Sequence, residues 1–457
     1  MKGRILYYSI VTALAGFLFG FDTVVISGAD QQLQELWNSS NLFHGFVVMS
    51  MALWGTVIGA IFGNIPTDRL GRKKTLIWIG VLYFISALGS AIVSDPYTFS
   101  FFRFIGGLGV GASTIAAPAY VTEIAPAKNR GKLVAMYQFN IVLGILIAFV
   151  SNYLLKNIAA DSWRWMIGVE SIPALIYFLM VLRIPESPRW LLLKKGDRNK
   201  ATEIFRMLGF SNLEAIDKKM NQMLEESGKE EEGVSIFNKR FLYPTLLAFL
   251  IAFFNQMSGI NAVLYYAPRI MAEAGLAEES ALLSSIGIGV TNMVFTLIGL
   301  NLIDRLGRKK LMYIGSIGYI TSLFLVSLAF FQDWTGMAVP WFLFIFIASH
   351  AIGQGTVIWV FISEIFPNKQ RAQGQSLGSS THWVMAALIT VFLPPLLSGA
   401  DNPGYVFLIF ASLMVLQLVF VIFMMPETKR VSLEDLQKKL QSKNKEKENK
   451  QLINLYE

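Results

Sequence analysis

Twelve long apolar stretches alternate with short charged clusters, and this alternation constrains the fold more than any single motif does. The stretches run at roughly 6–28, 43–65, 75–94, 98–122, 132–154, 163–184, 241–268, 281–303, 310–331, 340–364, 373–397 and 404–425. At about 1.5 Å rise per residue, segments of about 20 to 28 residues cross a hydrocarbon core of about 30 Å with some tilt. Only 15% of residues are charged, against about 25% in a soluble domain. The first stretch is long and resembles the later ones, so it reads as a permanent membrane helix and not as a cleaved leader.

Lysine and arginine set the expected orientation. With both termini cytoplasmic, the inner connections are 66–74, 124–132, 185–240, 304–310 and 366–372. All but Arg103, Lys156, Arg164 and Arg269 of the 39 Lys and Arg residues then lie inside or at the inner boundary. That is the charge bias of a polytopic membrane protein. The net charge of +8 therefore reports topology. Its dispersal over many loops argues against a nucleic-acid partner. The chain has no cysteine, which excludes disulfides and thiol chemistry, and only three histidines, His44, His350 and His382. No metal site, cofactor site or nucleophile–base pair is expected, so an enzyme is the least favoured class.

The chain repeats itself. Asp68-Arg-Leu-Gly-Arg72-Lys-Lys74 follows the second stretch, and Asp304-Arg-Leu-Gly-Arg308-Lys-Lys310 follows the eighth, 236 positions later. Glu123, Pro126, Lys128 and Arg130 recur as Glu364, Pro367, Lys369 and Arg371, and Pro185-Glu186-Ser187 recurs as Pro426-Glu427-Thr428, both 241 positions on. Three paired motifs in one order predict two homologous six-helix bundles rocking about a midplane site. The expected organisation is a bundle over 1–184, a cytoplasmic linker over 185–240, a bundle over 241–425 and a cytoplasmic tail over 426–457. Within the linker, 197–209 and 212–227 have the apolar spacing of amphipathic helices. The alternative is a disordered linker. The Lys/Glu/Asn-rich tail at 437–450 is expected to be disordered at its end.

With these repeats, the motifs Gly20-Phe21-Asp22, Arg103-Phe-Ile-Gly-Gly-Leu-Gly109, Pro185-Glu186-Ser187-Pro188-Arg189-Trp190, Gln256-Met-Ser-Gly259-Ile260-Asn261 and Pro426-Glu427-Thr428 resemble the sugar porter family of the major facilitator superfamily. The resemblance runs from about Phe17 to Glu434. It implies an all-α membrane protein of twelve helices in two pseudo-symmetric bundles, working as a monomer in a lipid bilayer. The general pattern is bacterial, which implies the inner membrane. The expected activity is proton-coupled monosaccharide import by alternating access. A passive facilitator and a non-transporting sugar sensor are the alternatives.

Ionisable residues inside spans are costly and mark function. Asp22 and Arg103 each lie about six residues from the outer face, about 9 Å deep, so an ion pair is expected. Opening such a pair desolvates a lone carboxylate and favours its protonation, which makes it a coupling switch. The family resemblance points the same way, since proton-coupled members carry Asp here. The alternative is a static pair holding two helices together.

Amides donate and accept from one side chain and suit sugar hydroxyls. Gln138, Gln256, Asn261, Asn292 and Trp359 fall where sugar porters carry a sugar ligand, with Trp359 offering an apolar face to a pyranose. Asn255 stands where the family often has Gln. His382 stands where relatives carry Asn or Gln, as a ligand, a titrating group or a packing choice, and Tyr265 and Tyr266 serve as ligands or as gate packing. A lone amide such as Asn292 can equally join neighbouring helices. Gly259–Pro268 is expected to break the seventh span where it lines a cavity. Asp68, Arg72, Glu123, Arg130, Glu186, Asp304, Arg308, Glu364, Arg371 and Glu427 form the expected cytoplasmic gate. Its Arg–carboxylate pairs would hold the outward-open state and part on switching, or only fix topology. Gly106-Gly107-Leu-Gly109-Val-Gly111 imitates a nucleotide loop, but it lies within a span and reads as close helix packing.

Overall fold

A computed structural model describes residues 3–126, 129–210, 212–228, 234–334, 336–367, 369–431 and 435–436. The tail at 437–450 lies outside the described residues, as does the side chain of Arg130. Among the described residues there are helices and no strands. Among the described residues, eleven helices are long and apolar enough to cross a membrane. Asn41–Met49 and Met51–Phe62, joined at a 42° bend, make a twelfth span. In chain order the others are Gly3–Gly28, Arg72–Ile92, Pro96–Ile124, Gly131–Leu155, Ser162–Val181, Lys239–Glu273, Glu278–Leu306, Arg308–Phe331, Ala338–Ile365, Arg371–Gly399 and Gly404–Phe423. Outward-facing Trp78, Ile85, Ile317, Phe324 and Phe423 are exposed, as a lipid solvent requires.

Packing repeats with a shift of six spans. The first span packs on the fifth as the seventh does on the eleventh. The pairs second–fourth, third–fourth and third–sixth recur as eighth–tenth, ninth–tenth and ninth–twelfth. Across the seam the fifth meets the eighth and the second meets the eleventh, which are the same contact under the same shift. This is the major facilitator arrangement. The fourth span reaches the second closely because its glycines leave room: a Cβ at Gly107 would lie 1.9 Å from the Ala52 carbonyl oxygen. The nucleotide-loop lookalike is thus a packing surface.

The cytoplasmic motifs repeat down to single atoms. The third span begins after Gly71 (φ 98°) and the ninth after Gly307 (φ 92°). Glu186 accepts from the Lys73 amide at 3.0 Å, and Glu427 accepts from the Arg308 and Lys309 amides, both at 3.0 Å. Each carboxylate therefore caps a helix N-terminus, where free amides and the helix dipole favour negative charge. A Cβ on Gly307 would lie 2.5 Å from a Glu427 carboxylate oxygen, in a backbone region open essentially to glycine alone. Gly307→Ala should therefore cost about 1–3 kcal/mol of strain, read as a lowered Tm in detergent, while Gly275→Ala is a control with a positive φ but open space around it.

In the linker, helices occupy Arg198–Met207 and Leu213–Gly228, where the periodicity places them. A third, Pro188–Lys195, has proline in its first turn and the Ser187 hydroxyl as N-cap. Leu191, Ile204, Phe205, Ile216 and Met220 bury into the core of the first bundle.

Four spans are interrupted. The seventh breaks at Gly259 (φ 82°) and kinks at Tyr266, within the segment expected to break. The second carries a π-helical turn at His44–Met49, the sixth is interrupted at Val169-Glu170, and the tenth turns at Gly353. The sequence reading anticipated none of these three.

Candidate functional site

The first span carries Asp22 and the fourth carries Arg103, and they meet as expected. Arg103 Nη1 lies 2.5 Å from Asp22 Oδ1, and Nη2 donates to the Asp22 carbonyl at 2.9 Å. Both side chains are buried. The backbone contact matters, because it holds the guanidinium against the first span whatever the carboxylate does. A third charge was missed from sequence. Glu170, at the break in the sixth span, is buried and interacts electrostatically with Asp22 and Arg103. Neither of its carboxylate oxygens has a donor among the described residues. The signal was present, as a single carboxylate between apolar runs of one span. Tyr265, fully buried on the seventh span, also lies within electrostatic reach of Asp22 and Arg103, so the cluster faces the other bundle.

The amides form a second group. Gln256 is its hub: its Oε1 accepts from Asn261 Nδ2 at 2.8 Å, and its Nε2 donates to Asn255 Oδ1 at 2.9 Å. The same Nε2 is 3.2 Å from both ring nitrogens of His382. The His382 ring packs against Trp359 and Trp383, with centroids 5.4 Å and 4.7 Å apart. Trp383 in turn meets Phe19 of the first bundle at 5.5 Å. The break at Gly259 makes the group possible, since it sets Gln256 and Asn261, five residues apart, within hydrogen-bond reach. Gln375 fixes the Trp359 backbone, donating to its carbonyl at 2.8 Å.

Two expected ligands stand apart. Asn292 Oδ1 accepts from the Thr296 hydroxyl at 3.4 Å along its own helix. Gln138 is half-buried on the fifth span. No hydrogen bond among the described residues joins either to the Gln256 group.

The cytoplasmic arginines reach the expected carboxylates. Arg72 meets Glu123 at 3.0 Å and Asp68 at 3.2 Å. Arg308 grips Glu364 with two bonds, at 3.0 and 2.7 Å, and meets Asp304 at 3.3 Å. Arg371 Nε is buried without an acceptor among the described residues. These pairs join helices of one bundle, and they are made while the seam is tied at its outer end, where Arg269 bonds Asp30 and Asn41 bonds Ser398. Each arginine sits at a helix start whose own bundle supplies its acceptors.

The model of the family described as "Sugar (and other) transporter" matches residues 8–440. The chain belongs to this family. It is 34% identical to the arabinose-proton symporter of Bacillus subtilis over 95% of both chains. It is 32% identical to the D-xylose-proton symporter of Escherichia coli over 94% of both. A partially occluded inward-open structure of the E. coli xylose transporter XylE superposes with a TM-score of 0.84 at 31% identity, covering 94% of this chain and all of that one. The fold and the family make the chain a multi-pass membrane transporter.

Proposed function

We propose that the chain imports a monosaccharide, hexose or pentose, together with a proton. In this reading Gln256, Asn255, Asn261 and His382 bind hydroxyls beside the Trp359 face, and Tyr265, Gln138 and Asn292 close around the sugar from other spans. Asp22, Arg103 and Glu170 carry the proton. Their formal charges sum to an excess of one negative in a buried site, and one proton removes that excess. Like charges sharing a dry site favour protonation of one of them. The observation that carries the reading is this: two buried carboxylates face one guanidinium beside Tyr265 at the seam. The relatives' printed names, arabinose-proton and D-xylose-proton symporter, support it.

The bundles at 1–184 and 241–425 rock as units in this account, with the linker at 185–240 and the tail at 426–457 cytoplasmic. The membrane is a bacterial inner membrane and the working unit a monomer. The cytoplasmic carboxylates and arginines stiffen each bundle's inner end.

The test is uptake of labelled xylose, arabinose, glucose, fructose and galactose into proteoliposomes with and without an inward proton gradient. At least one sugar should accumulate above equilibrium only with the gradient. Uptake that merely equilibrates in both conditions would make the chain a facilitator.

A further inference from the structure

The outer end of the seam holds a buried polar cluster that the sugar and proton sites do not use. Asp30 lies two residues beyond the first span, and Arg269 lies four residues before the end of the seventh, in the opposite bundle. Arg269 Nε donates to Asp30 Oδ2 at 2.6 Å, and Nη2 donates to Oδ1 at 3.0 Å. The geometry is the two-bond fork that suits guanidinium and carboxylate. Gln34 Oε1 takes a further Arg269 bond at 2.5 Å. His44, fully buried at the π-helical turn, donates from Nε2 to Asp30 Oδ1 at 2.7 Å. An ionised carboxylate only accepts, which fixes that nitrogen as the protonated one. Burial alone would raise the Asp30 pKa, but Arg269 and His44 outweigh it and hold Asp30 below the usual carboxylate range. The carboxylate is therefore charged.

Other polar ties across the outer seam differ in exposure. Lys156 meets Glu279 at 2.8 Å and Asn41 meets Ser398 at 2.6 Å, both in contact with solvent. Exposed ties contribute little to an equilibrium. A buried charge that loses its partner is strongly unfavourable. Asp30 and Arg269 are buried against each other across the seam, so a parting of the bundles at this end would separate them and admit water. The charge match is therefore required only in the closed state.

We propose that Asp30 and Arg269 form an outer gate pair whose charge match across the seam sets how readily the transporter opens to the outside. Gln34 and His44 are positioning residues that aim the two charged groups. The pair acts on access alone, whatever sugar or ion is carried.

The absence of native cysteine makes a distance measurement direct. Spin labels at Glu35→Cys and Ala277→Cys, both exposed and in opposite bundles, report the outer opening by pulsed electron resonance in nanodiscs without sugar. Asp30→Asn and Arg269→Gln each strand one charge and should each add a longer distance that becomes the major population. The double variant Asp30→Asn/Arg269→Gln strands none and should return most of the population to the short distance. A pair with only a structural role would lower thermal stability and leave the distances alone. Single variants with the parent distribution would overturn the proposal. So would a double variant displaced as far as the two singles added together.

Discussion

Asp22→Asn should abolish accumulation of sugar while leaving sugar exchange intact. An inward gradient of one pH unit stores about 1.4 kcal/mol per proton, enough for about tenfold accumulation if one proton moves with each sugar. The parent protein should approach that ratio and the variant should stay near unity, read as internal over external label in proteoliposomes. Asparagine retains the shape of the side chain and an acceptor for Arg103, and the bond from Arg103 to the Asp22 carbonyl at 2.9 Å does not involve the side chain at all. The helices should therefore stay together. What is lost is the second negative charge beside Glu170. Without that excess the cluster has no reason to take up a proton before it moves. Glu170→Gln should also impair accumulation, because it removes the same excess from the other side. A variant pair that still accumulated sugar tenfold would place the proton elsewhere.

Gln256→Ala should weaken sugar binding by about 10- to 100-fold, about 1.4–2.8 kcal/mol. The change removes the group that arranges the others as well as a direct ligand. The Asn261 amide loses its acceptor and Asn255 loses its donor, both buried. An orphaned buried polar group costs about 1–3 kcal/mol. Asn292→Ala is the comparison. Its one bond is long, at 3.4 Å, and runs to its own helix, so its loss should raise the half-saturation constant by less. Quenching of tryptophan emission on titration with sugar reads both, since Trp359 and Trp383 flank the His382 ring. Equal losses in the two variants would mean that the Gln256 group has no special place in the site.

Much of this architecture is legible in the sequence because a bilayer leaves few choices. Backbone groups must be satisfied within each span, so length and apolarity locate the helices. Duplication then locates their neighbours: the contacts of the Arg72 loop predict those of the Arg308 loop. The pairing of Asp22 with Arg103 follows from equal depth. Interruptions are harder to read. The break at Gly259 shows in Ser258-Gly259 and Pro268, but the turn at Gly353 and the π-helical turn at His44 depend on what packs across them. Glu170 is a lone carboxylate in an apolar span, and its place beside Asp22 and Arg103 depends on a break at Val169-Glu170 that no local motif marks. The outer pair joins residues 239 positions apart, with Asp30 just past the end of a span, and no local pattern connects them. The cytoplasmic arginines are legible too, since Arg72 and Arg308 reach Glu123 and Glu364, the carboxylates that the repeated motifs pair with them.

The most direct test of the central claim needs no imposed gradient. Proteoliposomes would be loaded with a pH-sensitive dye and mixed with xylose, or with whichever sugar the uptake panel identifies. Sugar entering down its own gradient should bring protons with it, so the lumen should acidify in the parent protein and not in Asp22→Asn. Sugar entry at the same rate with a flat dye signal would contradict the account, and the chain would then carry sugar without a proton.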